Sequence, residues 1–305
     1  MKTFVFSLLG LFVSLHVLGQ KTDLELKLKP QQVFHQKLSN QSTVTQTAMG
    51  TEMEIIMTNM ADTEFRVIEA NDDSFLLQVK YVDMLTEMEA ATQKMSYKAS
   101  EPKDNDPVSQ MMANIIGKTF EMVLSRDGRV MEIRNTSVLW DGLGDRLPSL
   151  SEEQIATLTE ELKKQYGLEA FASNMQLVTQ IYPKESVVVG DKWTIETQMV
   201  NMITLNSKRE FTLESIDGNV AKIKSVTSIS TPQDSPSVMQ QGIEMSYNLN
   251  GTQEAMIVVD ISTGWIIEAN IIQDMTGEAK TKPNDQIPME MTIPMKIKSA
   301  IVVED

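Results

Sequence analysis

The chain has 305 residues, 41% of them hydrophobic, with 27 basic and 42 acidic side chains and a formal charge of −15. That apolar content suffices for one large domain or two ordinary ones, and the acidic balance excludes the footprint of a nucleic-acid binder or a polybasic membrane anchor. Cysteine is absent and only two histidines occur, which removes disulfides, thiol chemistry and most zinc-site chemistry.

Residues 1–19 read as a Sec signal peptide. Met1-Lys2 gives a positive start, an apolar run from Phe4 to Val13 continues through Leu15, Val17 and Leu18, and small Gly19 precedes an expected cleavage before Gln20. The run is short for a bilayer span and is broken by Ser14 and His16. No Cys stands at the cleavage point for lipid attachment, and later apolar runs are too short to form a transmembrane span in the mature chain. The expected location is therefore exported, periplasmic or extracellular, soluble and not lipid-anchored.

Beyond this leader, Leu24, Leu26 and Leu28 alternate with Glu25, Lys27 and Lys29, which predicts a strand with one apolar face that Pro30 interrupts. Further strands are predicted over Val44 to Met60, Glu64 to Glu69, Phe75 to Ala90, Thr119 to Ser125 and Arg129 to Asn135. Asp106, Pro107 and apolar Val108, Met111, Met112, Ile115 and Ile116 at helical spacing predict a capped helix ended by Gly117. Ser151 with Gln154 reads as a capping box, from which Ile155, Leu158, Leu162 and Tyr166 run to Gly167. A second amphipathic piece carries Leu168, Phe171, Met175 and Val178.

The second half repeats the strand signals, over Trp193 to Leu205, Glu210 to Ser215, Val220 to Ser230, Ala255 to Ile261 and Trp265 to Met275. Asp127-Gly128, Asp217-Gly218-Asn219 and Thr263-Gly264 mark tight turns. From Met289 through Met291, Ile293, Met295 and Ile297 to Val303 one parity is apolar, and Pro288 and Pro294 on the other parity point to an edge or a bulge. Short matches link the halves. Thr51-Glu52-Met53 corresponds to Thr197-Gln198-Met199, Glu64-Phe65 to Glu210-Phe211, Val79-Lys80 to Ile223-Lys224, and Met95-Ser96-Tyr97 to Met245-Ser246-Tyr247. An internal duplication is the reading, with chance similarity between two β-rich segments as its alternative. The expected fold is mainly β (α+β), two related lobes of curved antiparallel sheet with a few short covering or connecting helices. Its parts are a signal peptide at 1–19, an N-terminal β-rich repeat at 20–148, a helical connector at 149–180 and a C-terminal β-rich repeat at 181–305.

The run Tyr182-Pro183-Lys184-Glu185-Ser186-Val187-Val188-Val189-Gly190-Asp191-Lys192-Trp193 resembles the aromatic-Pro, Val, Gly-Asp-x-Trp signature of an uncharacterised exported bacterial family of the Bacteroidota type, known only by a domain-of-unknown-function label. The resemblance extends to Leu24 through Phe34 and to the hairpin at Asp260, Thr263 and Gly264, although Gln31-Gln32 stand where that family often has Gly. It implies no catalytic residues. Gly190, Asp191 and Trp193 read as structural anchors, a tight turn followed by a large ring that starts a strand. The layout is also distantly similar to the half-barrel carriers of lipoproteins and lipids in the bacterial envelope, a likeness of fold alone.

Twenty-two methionines are the outstanding compositional feature. Flexible thioether side chains adapt to irregular apolar ligands, so Met53, Met57, Met199, Met289, Met291 and Met295 are the candidate ligand-binding residues, with an ordinary Met-tolerant core as the alternative. Met289-x-Met291 could offer thioethers to Cu(I) but lacks supporting His or Cys, and Asp104-Asn105-Asp106 and Asp141-Gly142-Leu143-Gly144-Asp145 lack a complete calcium loop, so no metal is assigned. Nucleophile-elbow, zincin and phosphate-loop motifs are absent, lone His35 has no identifiable nucleophile, and no cofactor is expected. An outer-membrane barrel is not expected either, because aromatic girdles are missing. The sequence therefore points to an exported non-catalytic protein that binds a hydrophobic, lipid-like small molecule or an envelope protein segment, and not nucleic acid. The alternatives are a structural envelope-interaction protein and, behind it, a carboxylate-dependent hydrolase.

Overall fold

The computed structural model describes residues 21–305 apart from 49, 92, 105, 167, 201–202, 241 and 284–288. The expected signal peptide and its Gln20 start, the helix stop at Gly167 and Pro288 lie outside the described residues.

Alternating apolar and polar residues build strands that pair antiparallel throughout. The first half runs through β1 (Val33–Ala48), β2 (Thr51–Ala70), β3 (Ser74–Ala90), β4 (Gln93–Lys98), α1 (Pro107–Ile115), β5 (Thr119–Ser125) and β6 (Val130–Arg134). A short 3-10 turn (Thr136–Leu139), α2 (Leu143–Arg146), α3 (Glu152–Tyr166) and α4 (Leu168–Thr179) follow. The second half comprises β7 (Lys192–Val200), β8 (Thr204–Asp217), β9 (Val220–Ser230), β10 (Val238–Gln240), β11 (Ile243–Asp260), β12 (Trp265–Thr281) and β13 (Met291–Glu304). The strands form one 13-stranded sheet in the order β6-β5-β3-β2-β1-β13-β12-β11-β9-β8-β7, with β4 added beside β3 and β10 beside β11. Strand β13 pairs with both β1 and β12 and so joins the halves into a single sheet.

The halves follow the same course. Hairpin β2–β3 shifts register between Val67 and Glu69, and hairpin β8–β9 shifts between Leu213 and Ser215, each 146 positions later. Hairpin β5–β6 shifts between Val123 and Leu124, and β11–β12 between Val258 and Val259, each 135 positions later. This register corrects two of the sequence matches. Ile223 stands where Leu77 does and Ser225 where Val79 does, so the pairing of Val79-Lys80 with Ile223-Lys224 is two residues out. Thr51-Glu52-Met53 follows the first hairpin turn while Thr197-Gln198-Met199 precedes the corresponding one, so these segments are not equivalent. The Met-Ser-Tyr pair does share a detail, a Tyr hydroxyl 3.7 Å from the Met sulfur in both Tyr97–Met95 and Tyr247–Met245.

Several boundaries also differ from expectation. Val44 to Met60 is not one strand: Gly50, at φ 78°, closes the β1–β2 hairpin within it. Trp193 to Leu205 likewise spans the turn between β7 and β8. Leu24, Leu26 and Leu28 are buried as their alternation requires, but the segment joins no ladder beyond a single bridge between Thr22 and Val187. Instead it crosses two hairpin ends, where Leu26 N donates to Arg126 O at 2.9 Å and Lys27 N to Thr263 O at 2.7 Å. Alternation reports one-sided burial, and here the cover is side chains rather than a neighbouring strand. Pro294 lies on β13 opposite Glu278 of β12, one residue beyond Met295, where pairing with β1 ends, so the absent N–H interrupts no ladder on that side.

Burial is one-sided, and the core collects Phe65, Val67, Phe75, Leu77, Val79, Ile223 and Trp265 with the three leucines. Phe34 stacks on Trp265 at 4.5 Å between centroids. Each large apolar side chain removed from water contributes about 1.5–3 kcal/mol. Helix α4 covers the same face and packs against both edge strands, β6 and β7. Thr179 Oγ1 donates to Gly128 O at 2.6 Å on the β6 side, and Arg209 Nη1 donates to Leu177 O at 3.0 Å on the β8 side. The sheet is thus curved enough for one helix to reach both margins, and that helix shields edges that would otherwise template pairing with another chain.

Candidate functional site

Between the inner face of the sheet and helices α1 and α4 lies a cavity of about 650 Å³. Period-2 alternation puts alternate residues of the crossing strands on its wall, and Met60, Leu85 and Glu87 of the other parity also line it. Strand β1 contributes Gln36, Leu38 and Asn40, and β2 contributes Met57, Asn59, Ala61 and Thr63. Strand β3 adds Tyr81, Met84, Thr86 and Met88, and β4 adds Met95 and Tyr97. The far wall is Gln253 of β11, Ile271 of β12 and Ile301 of β13, and the roof is Val108 of α1 with Phe171, Asn174, Met175 and Val178 of α4.

Tyr81, Met84, Phe171, Met175 and Val178 are buried at one end, whereas Met57, Met88 and Met95 are half-buried at the other. Phe171 is held edge-on to Phe120, at 5.0 Å and 87°, and to Tyr81, at 6.0 Å and 89°. The N-terminus of α1 is fixed by Asp106, whose carboxylate accepts from Ser109 N at 2.9 Å. The wall also carries polar side chains, some of them paired. Thr86 Oγ1 donates to Asn59 Oδ1 at 3.1 Å, and Ser96 Oγ donates to Glu87 Oε1 at 3.0 Å. Asn40 Oδ1 is buried without a hydrogen-bond partner among the described residues. Burial, reinforced by the Asp106 charge, raises the Tyr97 phenol above its ordinary value, so it lines the cavity as a neutral hydroxyl. Glu87 is the sole carboxylate lining it among the described residues. Among the described residues no group of three or more His, Cys, Asp or Glu is placed to hold a metal ion.

Of the six methionines singled out by sequence, the cavity wall takes in Met57. Met53 is 45% exposed further along β2. Met199 and Met295 pack on a separate apolar cluster built on Ile229, Leu249 and Met275. Met291 opens β13 half-buried, and Met289 precedes that strand at 72% exposure. The methionines the cavity gathers besides Met57 and the exposed Met60 are Met84, Met88, Met95 and Met175, from β3, β4 and α4. Met84 and Met88 share one parity of a predicted strand, a signal present in the sequence, but their meeting with Met175 depends on how α4 folds back.

The Tyr182 to Trp193 run builds a corner. Gly190 adopts φ 95°, and Asp191 Oδ2 accepts from Val188 N at 2.9 Å. Trp193 Nε1 donates to Ile181 O at 2.8 Å while its ring stacks on Phe211 at 5.6 Å. The buried Tyr182 hydroxyl donates to Gly264 O, and burial raises its pKa far above the usual phenol range.

No helix among the described residues is long and apolar enough to cross a membrane. No curated protein matches the chain. Among solved structures it is similar to lipovitellin, with 9% identity and a TM-score of 0.48 over 92% of this chain and 26% of that one. The chain thus spans about a quarter of the length of lipovitellin. It is also similar to the COG4313 outer membrane channel from Pseudomonas putida F1, with 7% identity, a TM-score of 0.27 and coverage of 90% of this chain and 97% of that one. At these scores neither likeness carries an argument about fold or ligand. The family described as Family of unknown function (DUF6263) matches residues 72–266, from the β2–β3 turn into β12 and more than half of the chain, and the chain belongs to that family.

Proposed function

We propose that this is a non-catalytic binding protein that holds an apolar small molecule between the sheet and helices α1 and α4. The observation that carries the reading is the cavity of about 650 Å³, within the size range of small-molecule sites and walled by Leu38, Met57, Met88, Phe171, Ile271 and Ile301. Methionines at the half-buried end can re-pack around ligands of irregular shape. A non-catalytic role is supported by the wall's single carboxylate among the described residues, Glu87, already engaged by Ser96, because carboxylate-based hydrolysis uses two. The same reading places the protein in an exported compartment after loss of residues 1–19, and sequencing the N-terminus of the secreted product should return Gln20. It also takes the halves as products of a duplication, which the register shifts at equivalent hairpin positions support.

The binding test uses hexadecanol displacing an environment-sensitive apolar fluorophore. Met57→Asp should weaken binding by about tenfold or more, because a carboxylate desolvated by the ligand costs at least that much. Met289→Asp, at an exposed position outside the wall, should leave it unchanged. Unaltered binding by a folded Met57→Asp protein would refute the cavity assignment.

A further inference from the structure

Beyond the cavity, the inner face of β8 and β9 holds a buried cation with no acid beside it among the described residues. Arg209 is 2% exposed and has one hydrogen bond, from Nη1 to Leu177 O at 3.0 Å, with its guanidinium 5.5 Å from the Phe211 ring. Its Nε and Nη2 are buried without partners among the described residues, as are the hydroxyls of Ser207, Ser225 and Thr227. Burial alone lowers the guanidinium pKa, to about 10, so the group is still charged at neutral pH and no carboxylate offsets the cost. An isolated buried charge is among the most expensive things a fold can retain.

The free atoms have a pattern. With Nη1 committed to Leu177, the open edge of the guanidinium is Nε with Nη2, the parallel pair of N–H donors that fits a carboxylate in two hydrogen bonds. Ser207 shares a face of β8 with Arg209, and Ser225 and Thr227 share the adjoining face of β9, with Thr227 directly opposite Arg209. All of these groups can donate, and although the hydroxyls can also accept, the cluster holds no anionic acceptor among the described residues. It lies behind the cavity wall, none of its four residues being among those that line the cavity. Thr227 is opposite Gln253, and both Gln253 and Leu177 line the cavity wall, so Arg209 stands two strands from the wall, about 10 Å at ordinary strand spacing.

We propose that Arg209, Ser207, Ser225 and Thr227 form a head-group pole for the carboxylate of a long-chain amphiphile whose tail occupies the cavity. This rests on the cavity reading above and adds the ligand's chemical class. One cation balances one negative charge, which favours a carboxylate over a phosphate monoester carrying nearly two. Direct readout comes from calorimetric titration of the full mature chain with hexadecanoate and with hexadecanol. The wild type should bind the acid at least about tenfold more tightly, as expected for charge-assisted hydrogen bonds. Arg209→Met should abolish that preference while leaving hexadecanol affinity in place, and Thr227→Val should reduce it, which keeps the test open if the first variant fails to fold. Equal affinity of the wild type for acid and alcohol would overturn the pole, leave the cavity reading standing and mark the cluster as water-filled. Retention of the preference by folded Arg209→Met would overturn the assignment to Arg209. Failure of both ligands to bind would overturn pole and cavity together.

Discussion

Glycine 264 and glycine 128 show how much single residues determine. They occupy the same place in the β11–β12 and β5–β6 turns, with φ of 71° and 82°. In each a Cβ would strike backbone, Glu25 O at Gly264 and Thr179 O at Gly128, so each turn is pressed against a segment that closes the fold. Gly264→Ala should therefore cost about 2 kcal/mol or more, through the strained left-handed φ and the displaced Glu25 segment, read as a lower urea midpoint. Asp260 caps the same turn. Burial opposes its charge, but hydrogen bonds from Ser262 N at 3.0 Å and from the Ser262 and Thr263 hydroxyls outweigh it and hold the carboxyl below its ordinary value. A depressed folded pKa contributes stability above the unfolded pKa and loses it as pH falls through the folded one. The stability gap between wild type and Asp260→Asn should thus be full near neutrality and vanish in acid below about pH 4, as urea titrations at a series of pH values would reveal.

At the level of elements, local chemistry announced itself where it acts over a few residues. Asp106 and Pro107 open α1, and Ser151 and Gln154 exchange the two hydrogen bonds of a capping box at 2.9 and 3.2 Å. Asp106→Ala should cost about 1 kcal/mol and loosen the roof residue Val108, seen as faster amide exchange in α1. The turn inside Val44 to Met60 was hidden because Thr47, Ala48 and Met49 continue the strand composition and Gly50 stands alone without an Asn or Asp beside it. Leu24 to Leu28 was legible as a buried face but not as a segment lacking a ladder, since side-chain alternation carries no record of backbone partners. The cavity was least legible of all. Met57 and Met88 face it from neighbouring strands, yet Met199 and Met295, equally apolar and equally alternating, pack on another cluster of the same sheet. Strand order separates them, and no local pattern encodes it.

Across the whole molecule the decisive feature is closure. One sheet with free edges at β6 and β7 curves until α4 contacts both, and the space left between helix and sheet is the cavity. A protein that used α4 only as an edge cover could have filled that space with side chains, since interiors are ordinarily close-packed. Leaving it open beside half-buried methionines is what the proposed binding role requires. The most direct test is nuclear magnetic resonance of isotope-labelled methionine methyl groups during titration with hexadecanoate. The account predicts that Met57, Met84, Met88, Met95 and Met175 shift together along one saturable curve, while exposed Met131, Met239 and Met289 stay in place. Shifts confined to the exposed methionines, or no shift at ligand saturation, would contradict it.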